Sequence, residues 1–177
     1  MNIQKFDDPW PYIIVEDFLH PDELQVFKET AWTLDTHQSG YEGINRLFLK
    51  YDPFPFMKNL LNEFPVHRPY NELAKLIHFA ATPPNMTHPM HVDSNYKIMS
   101  AVLYLWPDEN GGTVLYKTPD GEGKEITWKP NTLFVFCGLD DVTHHTYYST
   151  EQRYTLNYFL VDPTLITDPR WSDKFVR

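Results

Sequence analysis

The spacing of apolar and polar positions changes near residue 73, and the two parts of the chain predict different elements. Before residue 73, apolar side chains recur every three or four positions in two stretches, which predicts helices over residues 21–34 and 55–64. Residues 12–15 form a short apolar run that predicts one strand. We therefore expect the first part of the chain to be a mixed cover of two helices and one short strand.

Short strand-like runs, separated by Pro, Gly, Asn and Asp, dominate the chain from residue 73 onward. They cover residues 98–106, 111–116, 125–130, 132–137 and 153–161. Helices followed by strands predict a mostly β fold with some α, specifically a double-stranded β-helix (a jelly-roll or cupin-like barrel) braced by N-terminal helices. We expect one domain over residues 1–177, with helical support in 1–72, the barrel core in 73–161 and a C-terminal tail in 162–177.

Composition narrows the classes of function. Hydrophobic residues make up 42% of the chain, enough for a core, and the net charge of −9 argues against binding to a nucleic-acid backbone. The single cysteine excludes an internal disulfide, and the sequence has neither a secretion-signal pattern nor an apolar stretch of membrane-spanning length. We expect a cytoplasmic protein that acts on a small molecule or a peptide and binds neither nucleic acid nor membrane. Its oligomeric state is not predicted.

The triplet from His91 to Asp93 is the most informative motif in the sequence. In an extended strand, residues i and i+2 point to the same side, so both side chains could hold one metal ion. Two imidazoles and one carboxylate on one face of Fe(II) leave the opposite face open for a cosubstrate and dioxygen. A second His-x-Asp triplet, at residues 20–22, is interpreted as a helix start because proline and acidic residues favour a helix N-terminus.

The second imidazole must come from elsewhere in the chain. His144 and His145 are adjacent, so in a strand they would point to opposite faces, and only one of them could enter the barrel. His88 lies three residues before His91, in a loop flanked by proline, and could compete as a ligand. These histidines are alternatives at this point.

Residues from about 73 to 161 resemble the Fe(II)/2-oxoglutarate-dependent dioxygenases, specifically the prolyl 4-hydroxylase-like group. The resemblance rests on the order of the His91-x-Asp93 triplet, the strand-like runs, the second histidine and Arg153. It implies Fe(II), 2-oxoglutarate and O2 as cofactors, with iron held by His91, Asp93 and His144. The family places a cation nine or ten residues after its second histidine, and Arg153 follows His144 by nine. His145 is then expected at the surface or behind the ligands.

The same resemblance implies a pocket for the distal carboxylate of 2-oxoglutarate. Its base would be Arg153, whose planar guanidinium can hold a carboxylate with two hydrogen bonds. Thr155 shares a strand face with Arg153, and Tyr104 matches a tyrosine that many members use on that carboxylate. Further candidates for the cavity wall are Asn157, Ser100 and His78.

The expected function is hydroxylation of an unidentified substrate (a peptidyl or free amino acid, or a small metabolite) with release of succinate and CO2. A proline substrate is not implied, because Ile-His-Phe at residues 77–79 stands where many members have a tyrosine. The alternatives are a cupin-like metal-dependent enzyme and a non-catalytic binding barrel. Cupin sites usually cluster His-x-His with a following Glu, which this sequence lacks, and the complete ligand set argues against lost catalysis.

Overall fold

Ten strands in the described part of the chain form two antiparallel sheets. The computed structural model describes residues 1–33, 53–139 and 142–167. Along the chain the strands are β1 (Asn2–Phe6), β2 (Tyr12–Glu16), β3 (Ala74–Thr82), β4 (Thr87–His91), β5 (Lys97–Trp106), β6 (Thr113–Tyr116), β7 (Gly123–Ile126), β8 (Thr132–Cys137), β9 (His144–Tyr148) and β10 (Arg153–Val161). The large sheet has the order β1-β2-β8-β5-β10-β3, and the small sheet has the order β4-β9-β6-β7.

Two helices in the described ranges precede most of the strands. Helix α1 spans Pro21–Thr33 and α2 spans Phe54–Leu61, and a short 3-10 helix follows β10 at Pro163–Leu165. The helix start predicted at residues 20–22 is confirmed, because the Glu23 carboxylate accepts a 2.8 Å hydrogen bond from the backbone N–H of His20. The predicted helix end at residue 34 and the tail residues 168–177 lie outside the described residues.

The main hydrophobic core lies between the helices and one face of the large sheet. It joins Phe27 of α1 and Met57 of α2 to Leu103 of β5 and Leu156 of β10, and none of these is more than 4% exposed. Burying each such side chain contributes roughly 1.5–3 kcal/mol. Since successive side chains of a strand point to opposite faces, the remaining residues of β5 and β10 face the small sheet.

A second core lies between the two sheets. It contains Tyr104, Phe134 and Phe136 from the large sheet, together with Leu115 and Ile126 from the small one. The two sheets therefore form a sandwich, and a space at one end of this second core becomes the candidate site.

The predicted strands are largely confirmed, with differences at their ends. Strands β8 and β10 have the predicted bounds, β5 begins one residue earlier, β6 begins two residues later, and β7 ends at Ile126. The part predicted as helical support also supplies β1 and β2 to the large sheet, through pairing of β2 with β8. No helix within the described residues is long and apolar enough to cross a membrane.

Candidate active site

A cavity of about 220 Å³ lies between the sheets and has two chemically different ends. This volume is many times the ~10–15 Å³ that a single water molecule needs. At one end, which we call the triad end, His91, Asp93 and His145 line the wall. At the other, the arginine end, the wall includes Arg153 and Thr155 of β10.

The triad end brings two imidazoles and one carboxylate together. His91 is the last residue of β4, Asp93 follows two residues later, and His145 lies in β9 directly opposite His91. Each of the three residues offers one ligand atom, and these atoms lie within 4.8 Å of one another. The two imidazole ring centroids are 4.3 Å apart. Two imidazoles and one carboxylate on one face are a donor set that suits a mononuclear Fe(II) ion.

The expectation that His144 supplies the second imidazole is corrected, because the structure brings His145 to the triad end. The antiparallel register of β4 and β9 pairs His91 with His145, so β9 turns His145 and Tyr147 into the cavity. His145 is 7% exposed, whereas His144 lies on the other face of β9 and is half-buried. His88 also lines the cavity but is not a member of the group of converging ligand atoms.

Hydrogen bonds fix both imidazoles in the tautomer that binds metal. Nδ1 of His91 lies 2.9 Å from the carbonyl oxygen of Pro89, and Nδ1 of His145 lies 2.9 Å from that of Thr143. A carbonyl oxygen only accepts, so each Nδ1 carries the proton and each Nε2 keeps a lone pair. Burial lowers the pKa of His91 and lowers that of His145 to about 4, so both rings are neutral at neutral pH.

The Asp93 carboxylate is held charged by two donors. Nζ of Lys97 lies 2.7 Å from its Oδ1, and the Ser100 hydroxyl donates to its Oδ2 at 2.5 Å. Burial alone would raise the pKa of Asp93, but the charge of Lys97 and the hydrogen bonds from Lys97 and Ser100 outweigh it and lower the pKa. The carboxylate is therefore ionised and oriented before any metal binds.

Arg68 fixes the turn that carries Asp93. Its Nη1 donates to the carbonyl oxygens of Ser94 and Lys97 at 2.8 and 3.1 Å. The side chain is buried, and it comes from the segment before β3. This contact holds the turn between β4 and β5 against the rest of the protein.

Arg153 is a buried cation without a counter-ion among the described residues. It is 2% exposed, and its Nη1 donates to the carbonyl oxygens of Gly111 and Tyr148. Its buried Nε has no hydrogen-bond partner in the part of the chain that the structure describes. Burial lowers its pKa, and the nearby tyrosine hydroxyls act in the opposite direction. The guanidinium packs 4.7–5.6 Å from the centroids of three aromatic rings, those of Tyr147, Trp128 and Tyr104. Such a buried charge fits an anionic ligand.

The remaining predicted site residues fall into two groups. Thr155, Asn157, Ser100 and His78 all line the cavity. Tyr104 is fully buried behind the wall, where its hydroxyl shares a 2.7 Å hydrogen bond with Thr113 and its ring stacks on Trp128. Sequence reasoning did not single out several further residues of the site. Among them, Lys97, Thr113, Tyr147 and Phe159 line the cavity, and Trp128 packs on Arg153.

Comparisons with known proteins find similarity in structure only. No family model and no curated protein matches the sequence. A prolyl 4-hydroxylase from Pseudomonas putida is similar at a TM-score of 0.57 and 19% identity, over 85% of this chain and 91% of that one. A prolyl hydroxylase from Trichoplax adhaerens, solved with a hypoxia inducible factor peptide fragment, is similar at 0.63 and 14% identity, over 86% and 84%.

A third similar structure has a different activity. The non-haem α-ketoglutarate-dependent epimerase SnoN from nogalamycin biosynthesis has a TM-score of 0.62 and 14% identity, over 86% of this chain and 78% of that one. All three proteins share the architecture described above with this chain. The chain therefore has the fold of the prolyl hydroxylase-like Fe(II)/2-oxoglutarate oxygenases.

Proposed function

We propose that this chain is a non-haem Fe(II)- and 2-oxoglutarate-dependent dioxygenase that hydroxylates its substrate. The observation that carries the proposal is one cavity with a metal-ligand triad at one end and a buried arginine at the other. A keto acid with a distal carboxylate could bind the metal ion at the triad end through its keto-acid group and Arg153 at the arginine end through its distal carboxylate. A cupin-like metal enzyme has no need of the arginine, so this pairing favours the oxygenase.

The residues of this chain would bind and orient the cofactors. His91, Asp93 and His145 would hold Fe(II), using Nε2 of each ring and the oriented carboxylate. Arg153 would hold the distal carboxylate of 2-oxoglutarate, with the Thr155 hydroxyl beside it in the cavity wall. With both cofactors and O2 bound, the centre would oxidise a substrate C–H bond to an alcohol and release succinate and CO2.

The proposal extends to the fold and to the substrate class. We interpret the sandwich as a double-stranded β-helix braced by α1 and α2, forming one domain. The similar structures include prolyl hydroxylases and an epimerase, so the fold alone does not select a substrate. Peptidyl amino acids, free amino acids and small metabolites are all compatible with this fold as substrates.

The test is metal-dependent conversion of 2-oxoglutarate to succinate, followed by mass spectrometry. We expect turnover only with Fe(II) and O2 present, and we expect Asp93→Ala to abolish it. The matched control is Asp120→Ala, which removes an exposed carboxylate between β6 and β7 and should retain the parent rate. Turnover by Asp93→Ala at the parent rate would overturn the proposal. Metal binding without 2-oxoglutarate binding would instead indicate the cupin-like alternative, and binding of both without turnover would indicate a binding barrel.

A further inference from the structure

We propose that Lys97 binds a carboxylate group of the substrate. This inference rests on the proposed function and specifies the substrate class for the same cavity. It begins from the position of Lys97, which lies next to the metal ligands and which the cofactors proposed above do not use.

Lys97 is a partly buried cation at the triad end of the cavity. Its Nζ lies 2.7 Å from Oδ1 of Asp93 and 4.1 Å from the centroid of the Phe159 ring. Its side chain is 18% exposed and, like that of Phe159, lines the cavity. The ammonium group is thus placed on the cavity wall next to one of the proposed metal ligands.

A bound metal ion would share the negative charge of Asp93 with Lys97. In the metal-free arrangement the carboxylate balances the ammonium, but a divalent ion on the same carboxylate would take up that negative charge. Lys97 would then be a partly buried cation next to a second cation. An arrangement of this kind is costly unless an anion is supplied.

The charges of the cavity wall indicate that one anion is missing. The charged side chains among the described lining residues are Asp93, Lys97 and Arg153, with the histidines counted as neutral. With a divalent ion these groups carry three net positive charges, and the 2-oxoglutarate dianion balances two of them. Glu125 does not compensate, because it is exposed and outside the cavity wall. One positive charge remains, which one further negative charge on the substrate would balance.

The missing charge defines a class of substrate. A carboxylate without a neighbouring ammonium group meets the requirement, for example an organic acid, a peptide C-terminus or an acidic side chain. A zwitterionic amino acid adds a positive charge with each negative one, and an internal peptidyl proline adds none. Phe159 lines the cavity next to Lys97, so its ring can contact the hydrocarbon part of the acid while Lys97 holds its charge.

The experiment compares pairs of compounds in which one member has a carboxylate and the other has a carboxamide at the same position. The protein is loaded with Mn(II) and 2-oxoglutarate, and binding is followed by calorimetry. One arm pairs N-acetyl amino acids with their amides, which tests a terminal carboxylate. The other arm pairs N-acetyl aspartate and glutamate amides with the asparagine and glutamine compounds, which tests a side-chain carboxylate. We expect at least one acid to bind tenfold or more tightly than its amide.

Variants of Lys97 assign that preference to the ammonium group. Lys97→Met should remove the preference for the acid, Lys97→Arg should retain it, and Lys97→Gln serves if the methionine variant fails to fold. The matched control is Lys129→Met, which removes an exposed lysine paired with Glu16 outside the cavity and should leave the preference intact.

The outcomes separate this inference from the proposed function. Failure of Mn(II) or 2-oxoglutarate to bind the parent protein would overturn the proposed function itself. If both bind, the inference is overturned when no acid binds, when acids and amides bind equally, or when the preference survives in both Lys97→Met and Lys97→Gln.

Discussion

The two ends of the cavity are built in different ways. At the arginine end, Arg153 and Thr155 follow one another along the inward face of a single strand, β10. At the triad end, His91 and His145 come from two strands that are far apart in sequence, and they meet only because β4 and β9 pair in one register. That register is interrupted by a shift between His88 and His91. One end therefore depends on local alternation and the other on long-range pairing.

The two ends also differ in how their charges are balanced. The charge of Asp93 at the triad end is already balanced by Lys97, and Ser100 donates a second hydrogen bond to the carboxylate. Arg153 at the arginine end has no anionic partner among the described residues. An anionic ligand should therefore bind more tightly at the arginine end than at the metal-free triad end, because at the arginine end it neutralises an unpaired positive charge.

The largest difference is expected between two alanine variants, each of which replaces one of the adjacent histidines of β9. His145→Ala removes a metal ligand and should weaken Mn(II) binding by more than about 100-fold, beyond the range seen when only a supporting residue is lost. His144→Ala leaves the ligand set intact and should bind Mn(II) within a few-fold of the parent protein. Calorimetric titration of both variants measures this. Equal weakening in both would mean that the β4–β9 register is wrong.

At the arginine end, Arg153→Met should weaken 2-oxoglutarate binding by about 100-fold, since a buried charged hydrogen-bonding partner typically contributes 2–5 kcal/mol. The same change removes a buried cation without a counter-ion. The ligand-free variant should therefore be at least as stable as the parent towards urea. A clear loss of stability with unchanged 2-oxoglutarate affinity would indicate that Arg153 is structural.

Much of the arginine end could be predicted from the sequence, because strand alternation is a local property. The strand 153–161 was predicted with its observed bounds, and its alternation turns Arg153, Thr155 and Asn157 to the same face. Tyr104 was predicted in the right strand, but whether its hydroxyl reaches the cavity depends on packing. The hydroxyl bonds to Thr113 of β6, a contact between sheets that alternation does not describe.

The triad end was harder to predict, because two adjacent histidines of one strand differ only in the face of the sheet to which each side chain points. His144 and His145 are chemically identical, and the phase of β9 is set by its pairing with β4 and β6. Lys97 was missed for a related reason. Its backbone N–H closes a turn onto the carbonyl oxygen of Ser94, so alternation cannot be followed from Asp93 into β5.

The stability of the metal-free protein should depend on pH through the triad end. The pKa of His145 is lowered by burial to about 4, so below its ordinary value of 6.5 the unfolded chain binds more protons than the folded one. The contribution of the neutral His145 to the unfolding free energy is fully present above about pH 6.5 and is lost as the pH falls towards 4. We expect His145 to account for about 2 kcal/mol of lost unfolding free energy between pH 7.5 and 5. Urea unfolding of the parent and His145→Gln measures this share, and an identical pH dependence in both would contradict it.

The smallest effect is expected from Ser100→Ala, which removes the hydroxyl that donates to Oδ2 of Asp93. Loss of such a supporting hydrogen bond should weaken Mn(II) binding by about tenfold. The affinity of Arg153 for a carboxylate should be unaffected, because Ser100 lies at the other end of the cavity. Succinate binding to the metal-free protein is a convenient measure of that second quantity. A larger loss of succinate affinity than of Mn(II) affinity would contradict the division into two ends.

The most direct test of the account is the thermodynamic coupling between the two ends. If one molecule of 2-oxoglutarate contacts both the metal and Arg153, Mn(II) must raise its affinity, and 2-oxoglutarate must raise that of Mn(II) by the same factor. Calorimetry of 2-oxoglutarate binding with and without Mn(II) should give a coupling of at least about tenfold in the parent protein, and His145→Ala should abolish it. An affinity for 2-oxoglutarate that is the same with and without Mn(II) would contradict the account.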